Sequence, residues 1–117
     1  MRVCVTGGRT FDDANLLNGV LDALHAERGV DCVIHGKAQG ADMMADAWAR
    51  NHGIKVFRRR ANWVKYGMAA GPIRNGELLR LGRPDLVLAF PGGKGTADMM
   101  RQADKAGVPV KTYPEVG

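Results

Sequence analysis

Residues 85–106 place the tightest limit on what this chain can fold into. The apolar run Leu86-Val87-Leu88-Ala89-Phe90 reads as a buried strand, and Ala97 to Ala106 carries helical spacing. Between them stands Pro91-Gly92-Gly93-Lys94-Gly95-Thr96. A strand, a glycine-rich turn and a helix in succession aim several backbone N–H groups at one point, where the helix dipole favours an anion. Glycines at 92, 93 and 95 let a phosphate approach the backbone with no Cβ in the way. Thr96 suits a helix N-cap, with its hydroxyl facing the same end as the anion. The spacing is neither that of a Walker loop nor Gly-x-Gly-x-x-Gly, so those nucleotide classes are not indicated.

The rest of the chain repeats the alternation. Strands are predicted at about 2–6, 31–35, 55–59, 85–90 and 109–112, and helices at about 13–28, 41–52, 73–81 and 96–106. Near-continuous apolar strands separated by helices predict a Rossmann-like α/β three-layer sandwich, with a mostly parallel sheet of about five strands. Residues 1–117 read as one domain, without repeats or linkers. Right-handed crossovers then gather the strand-to-helix turns at the carboxyl edge of the sheet, where open parallel sheets bind ligands. The turns expected there are Gly7-Gly8-Arg9, residues 35–40 with Gly36, Lys37 and Gly40, the run Arg58-Arg59-Arg60, and 91–96. Each contains a cation.

Charge agrees with that edge. The chain holds 17 Lys plus Arg against 12 Asp plus Glu, a formal net charge of +5, which suits an anionic ligand without specifying nucleic acid. Cys4 and Cys32 fall inside apolar strands and read as buried thiols in a reducing, cytoplasmic setting. No metal and no cofactor is expected, because no ligand cluster has a recognised spacing. No run is long enough to span a bilayer, so no membrane partner is expected.

Several stretches in order resemble a known group. They are Thr6-Gly7-Gly8-Arg9-Thr10-Phe11, His35-Gly36-Lys37-Ala38-Gln39-Gly40-Ala41-Asp42, Trp48-Ala49, Ala61-Asn62-Trp63, Ala70-Gly71-Pro72-Ile73-Arg74-Asn75 and the 91–96 loop. Together they resemble the YspA-like, YpsA-related branch of the SLOG superfamily. The loop looks like the PGGxGT signature shared with the LOG phosphoribohydrolases and the DprA proteins. The resemblance implies a nucleotide-related ligand lying across the loop, and self-association into a homo-oligomer. In the LOG enzymes an arginine of an Arg-Lys pair and the glutamate closing PGGxGTxxE help cleave a base from ribose 5′-phosphate. Here the pair reads Arg74-Asn75 and the glutamate position is Met99, with Asp98 one residue earlier. One residue along a helix rotates a side chain by about 100°, so Asp98 does not simply replace the glutamate.

The ligand-binding candidates are therefore Gly7, Gly8, Arg9, Gly36, Gly40, Asp42, Trp63, Arg74, Asn75, Pro91, Gly92, Gly93, Lys94, Gly95 and Thr96. Arg74 after Pro72 reads as a guanidinium at a helix start, suited to bidentate phosphate bonds. Trp63, in a loop, reads either as a base-stacking ring or as an anchor. Trp48 reads as core, and His35 as structural. Asp42 suits the helix dipole and a ribose hydroxyl; with Asp98 it is a weak catalytic candidate. The leading expectation is binding, by sensing or sequestration, of an ADP-ribose or phosphoribosyl compound. A LOG-like N-glycosidic hydrolase is the alternative. Single-stranded DNA binding comes third, because only seven aromatic residues exist and most read as buried.

Overall fold

The computed structural model describes residues 1–114. The chain runs β1 (Arg2–Thr6), α1 (Ala14–Arg28), β2 (Cys32–His35), α2 (Ala41–Asn51), β3 (Lys55–Arg58), α3 (Trp63–Tyr66), a 3-10 turn (Gly67–Ala69), α4 (Ala70–Gly82), β4 (Leu86–Ala89), α5 (Lys94–Lys105) and β5 (Val110–Thr112). The five strands form one sheet in the order β3-β2-β1-β4-β5, and every pairing is parallel.

Alternation along β1 sorts the core into two layers. Val3 and Val5 pack with Leu17, Leu21 and Leu24 of α1 and with Ala41, Ala45 and Trp48 of α2. Cys4, between them, faces the other way with Ile34, Leu78 of α4 and Met99 and Ala103 of α5. Strands buried on both faces are what a parallel sheet between helical layers requires. The expected three-layer α/β sandwich is therefore the observed one. Cys4 and Cys32 are buried free thiols, and burial drives the Cys4 thiol far above its ordinary range. Trp48 is core, with its indole N–H donating to Asp22 at 2.8 Å. Among the described residues no helix is long and apolar enough to cross a membrane.

The differences from expectation cluster at helix starts. Helix α4 begins at Ala70, three residues before the predicted start, so Arg74 lies in its second turn and not at its head. Pro72 is tolerated there because the first N–H groups of a helix have no internal acceptor. Helix α5 begins at Lys94, and its N-cap is Gly93. Thr96 is thus a buried residue of the first turn and not the cap. Trp63 opens the short helix α3, capped by the Asn62 side chain accepting from Lys65 N, and does not sit in a loop.

Candidate functional site

Three turns at the carboxyl edge of the sheet interlock. Gly8 N donates to Pro91 O at 2.8 Å, fastening the turn after β1 to the turn after β4. The turn after β2 closes on them through Gly40, at φ +83, whose missing Cβ would strike Gly8 O. A side chain at position 40 is excluded twice, by backbone conformation and by space. Between these turns and α4 opens a cavity of about 620 Å³.

Of the candidates from sequence, the cavity is lined by Gly7, Gly8, Arg9, Gly36, Asp42, Trp63, Arg74, Asn75, Gly93, Lys94, Gly95 and Thr96. Gly40, Pro91, Gly92 and Asp98 stand behind its wall. Gly40 and Pro91 hold the turns together, as above. A Cβ on Gly92 would strike Thr96 Oγ1, so that glycine serves the turn itself. Gly93 and Gly95 differ, because a Cβ on either would meet nothing within 4 Å. Among the described residues, none occupies the space immediately in front of them.

The helix ends near the cavity differ among themselves. Asp13 caps α1 and Asn62 caps α3 through side-chain acceptors. The N-termini of α2 and α5, both on the cavity, have glycines at the N-cap and no side-chain acceptor. At α5 the first N–H groups carry the positive end of the helix dipole toward the space in front of Gly93 and Gly95, whereas the start of α2 is packed against Gly8 and Arg9.

Arg74 is the most constrained cation of the site. Its Nε donates to Asn75 Oδ1 at 2.9 Å and one terminal nitrogen donates to Gly36 O at 2.7 Å. Glycine at position 36 leaves room for the guanidinium, which a Cβ there would push out of this place. Burial lowers the Arg74 pKa, while the charge of Asp42 works against that shift. Asn75 is buried and joins α4 to α5: its amide donates to Gly95 O at 3.2 Å and to Asp98 at 3.0 Å. Asp98 also accepts from Gln102 and Arg101. Burial raises the Asp98 pKa, but these hydrogen bonds outweigh it and hold the carboxylate below its ordinary value. Its role is therefore to orient Asn75 from outside the cavity.

Asp42 is 5% exposed and, among the described residues, is the lone carboxylate lining the cavity. Its Oδ2 accepts from Gly36 N at 2.9 Å and Ala38 N at 3.3 Å, so its first role is to hold the turn after β2. Burial pushes its pKa up to about 6, against the opposing effects of those N–H groups and Arg74. Met99 lines the cavity in the position the LOG resemblance gives to glutamate.

The triple-arginine run separates into three roles. Arg58 binds Asp46 of α2, and Arg59 binds Glu77 of α4 through Nε and a terminal nitrogen. Arg60 alone reaches the cavity. The run leaves β3 at the expected edge, and two of its cations are paired with partners that the sequence leaves 12 and 18 residues away.

Asp46 escaped the sequence reading altogether. It is 1% exposed and binds His35, Arg58 and, at 2.8 Å, Arg50. The available signal was the i, i+4 spacing of Asp46 and Arg50 on a helix whose neighbouring face is apolar. The Arg58 hydrogen bond, above all, holds the Asp46 carboxyl well below the ordinary aspartate value. A depressed folded pKa means that its stabilising contribution is complete above about pH 4 and is lost as pH falls further. Asp46→Asn should cost roughly 2 kcal/mol at pH 7. Urea unfolding checks this, with the gap from the native protein narrowing as the pH approaches 3.

Comparison with known proteins places the chain. It is 43% identical over 120 residues to the Gene 61 protein of Mycobacterium phage D29, covering 96% of this chain and 95% of that one. In three dimensions it is similar to the UDP-GlcNAc 2-epimerase of Neisseria meningitidis, solved bound to UDP-GlcNAc, with a TM-score of 0.58 and 18% identity. That match covers 96% of this chain but only 31% of the epimerase, and it bears on the fold alone. Residues 1–66 match the model of one family, which takes in the turns after β1 and β2, and the chain belongs to that family: YspA, cpYpsA-related SLOG.

Proposed function

We propose that the cavity binds a nucleotide-derived anion, such as ADP-ribose or a phosphoribosyl compound, and holds it intact. The supporting observation is the charge of the wall. Among the described residues, Arg9, Lys37, Arg60, Arg74 and Lys94 line it against the single carboxylate of Asp42. Among the described residues, none of Arg9, Lys37, Arg60 and Lys94 uses its side chain in an ion pair or hydrogen bond within the chain. Cations left unpaired in a concavity raise the local concentration of an anionic ligand. The phosphates would lie over Gly93–Thr96, at the uncapped N-terminus of α5. Trp63, half exposed on the wall, would meet the base.

Cleavage of an N-glycosidic bond is the weaker reading. An oxocarbenium-like transition state needs a carboxylate beside it. Met99 supplies none, Asp98 is behind the wall, and Asp42 is committed to two backbone N–H groups. Single-stranded DNA binding is weaker still. Trp63 and Tyr66 are the aromatic side chains prominent among the exposed apolar groups, too few for a stacking track.

The test is to incubate purified protein with ADP-ribose, AMP and a single-stranded oligonucleotide, then to measure binding and recover each ligand. Saturable binding of ADP-ribose, recovered whole, is the expected result. Release of free base would establish the hydrolase, and affinity for the oligonucleotide alone with a steep salt slope would establish the third reading.

A further inference from the structure

One buried titratable side chain lies just outside the cavity, and ligand contact does not explain it. His35, the last residue of β2, is 0% exposed and both ring nitrogens are engaged. Nδ1 lies 2.9 Å from Lys37 N, and Nε2 lies 2.6 Å from Asp46 Oδ2. A backbone N–H can only donate, so Nδ1 must be the bare nitrogen and Nε2 must carry the proton, which it donates to Asp46.

The amide that Nδ1 accepts from is unusual. Lys37 has φ +61, in the left-handed region that a residue with a Cβ seldom enters without support. It belongs to the wall of the cavity with Gly36, Ala38 and Gln39. The three successive N–H groups of this wall are divided between two acceptors: Gly36 and Ala38 donate to Asp42, and Lys37 donates to His35. Gly36 O in turn holds Arg74.

We infer that His35 is a positioning residue for the cavity: neutral, it holds Lys37 and with it the wall at 36–39 in place, and protonated, it releases them. The balance is simple. One proton taken from solvent binds Nδ1, the acceptor lone pair is lost, and an imidazolium N–H then faces the Lys37 N–H. The charged groups facing the ring are Asp46 of α2, itself bound by Arg50, together with Arg58 of β3 and Lys37. Asp42, also on α2, holds the flanking amides. Burial of the ring favours the neutral form and outweighs Asp46, while Arg58 and Lys37 act with burial. The folded pKa is thus below the ordinary histidine value, and the neutral, wall-holding form is lost only as pH falls below about 6.5.

The inference rests on the binding reading for its consequence but not for its test. Ring and amide ¹⁵N NMR of the ligand-free protein should show Nδ1 bare and Nε2 protonated at pH 7.5. Lowering the pH should move the Lys37 amide with the same midpoint as the His35 ring. Gly36 and Ala38 report Asp42 separately, because their amides donate to it. In His35→Asn the Lys37 titration should vanish while that of Gly36 and Ala38 persists. ADP-ribose is the binding probe, since its pyrophosphate does not titrate in this range. Its affinity for the native protein should fall by up to about tenfold per pH unit once His35 is protonated, and the variant should bind more weakly at pH 7.5 with a shallower fall. A protonated Nδ1 at pH 7.5, or a Lys37 titration unchanged in the variant, overturns the positioning role. ADP-ribose affinity that ignores the Lys37 titration overturns the link to binding. If the amides behave as expected and ADP-ribose binds at no pH, the positioning role stands and the ligand reading falls.

Discussion

Gly93→Val is expected to abolish ADP-ribose binding while leaving the fold intact. The two halves of that result have separate physical grounds. Gly93 has φ −107, outside the left-handed region, and a Cβ added there meets no atom within 4 Å. The native state therefore has room for a Cβ there, so the fold should survive, with some loss of melting temperature because ψ is −137, outside the regions that a residue with a Cβ prefers. The same branch projects from the N-cap of α5, over the N–H groups proposed to receive a phosphate. Losing two charge-assisted hydrogen bonds at roughly 1.5 kcal/mol or more each lowers affinity by over a hundredfold. Calorimetric titration of the variant, beside a thermal melt, measures both halves. Unchanged affinity in a folded variant would remove the phosphate from this loop.

Arg74→Ala should cost between about tenfold and somewhat over a hundredfold in the same titration, the range for one charge-assisted contact. Arg59→Ala should cost little, because Arg59 is engaged by Glu77 and does not line the cavity. The Arg74 variant also loses the bond to Gly36 O and leaves Asp42 without its neighbouring cation. Some fall in stability should accompany the loss of affinity, and Arg74→Lys separates the two. A lysine keeps the charge near Asp42 but lacks the forked donors, so stability should recover more than affinity does. Normal binding by Arg74→Ala, with loss in Arg59→Ala, would show that the anion lies elsewhere on this edge.

Strands were easy to read because burial on both faces makes them continuous apolar runs: β2 and β4 are buried at every position. Helix starts were harder. Ala70-Gly71-Pro72 and Lys94-Gly95 look like breakers, yet glycine and proline cost least in a first turn, where N–H groups have no helical acceptor anyway. The glycine turns were legible as a group, since little except a ligand or a close backbone contact calls for so many. Which glycine serves which purpose was not legible. Gly40 and Gly92 answer to neighbouring turns, whereas Gly93 and Gly95 face open space, and that distinction exists only in three dimensions. Charge was the least legible feature. Counting cations along the edge gave Arg58 and Arg59 the same weight as Arg60, because Asp46 and Glu77 come beside them only once α2 and α4 pack. Asp46 itself, the second of two carboxylates on a helix that is otherwise mostly apolar, had no local pattern beyond Arg50 to mark it.

The interlocking of the turns after β1, β2 and β4 has a consequence for how occupancy is felt by the whole molecule. Residues from both ends of the chain meet at Gly8 and Pro91, so no short fragment can carry the cavity, and the unfolded chain has no weak version of it. A ligand that binds the native state alone draws the folding equilibrium with it, by about 2.7 kcal/mol at a hundred times its Kd. Any molecule that fits these turns should therefore raise the melting temperature in proportion to the logarithm of its concentration. The protein's own thermal stability becomes the detector, and a library of anionic metabolites can be sorted on it before any of them has been labelled.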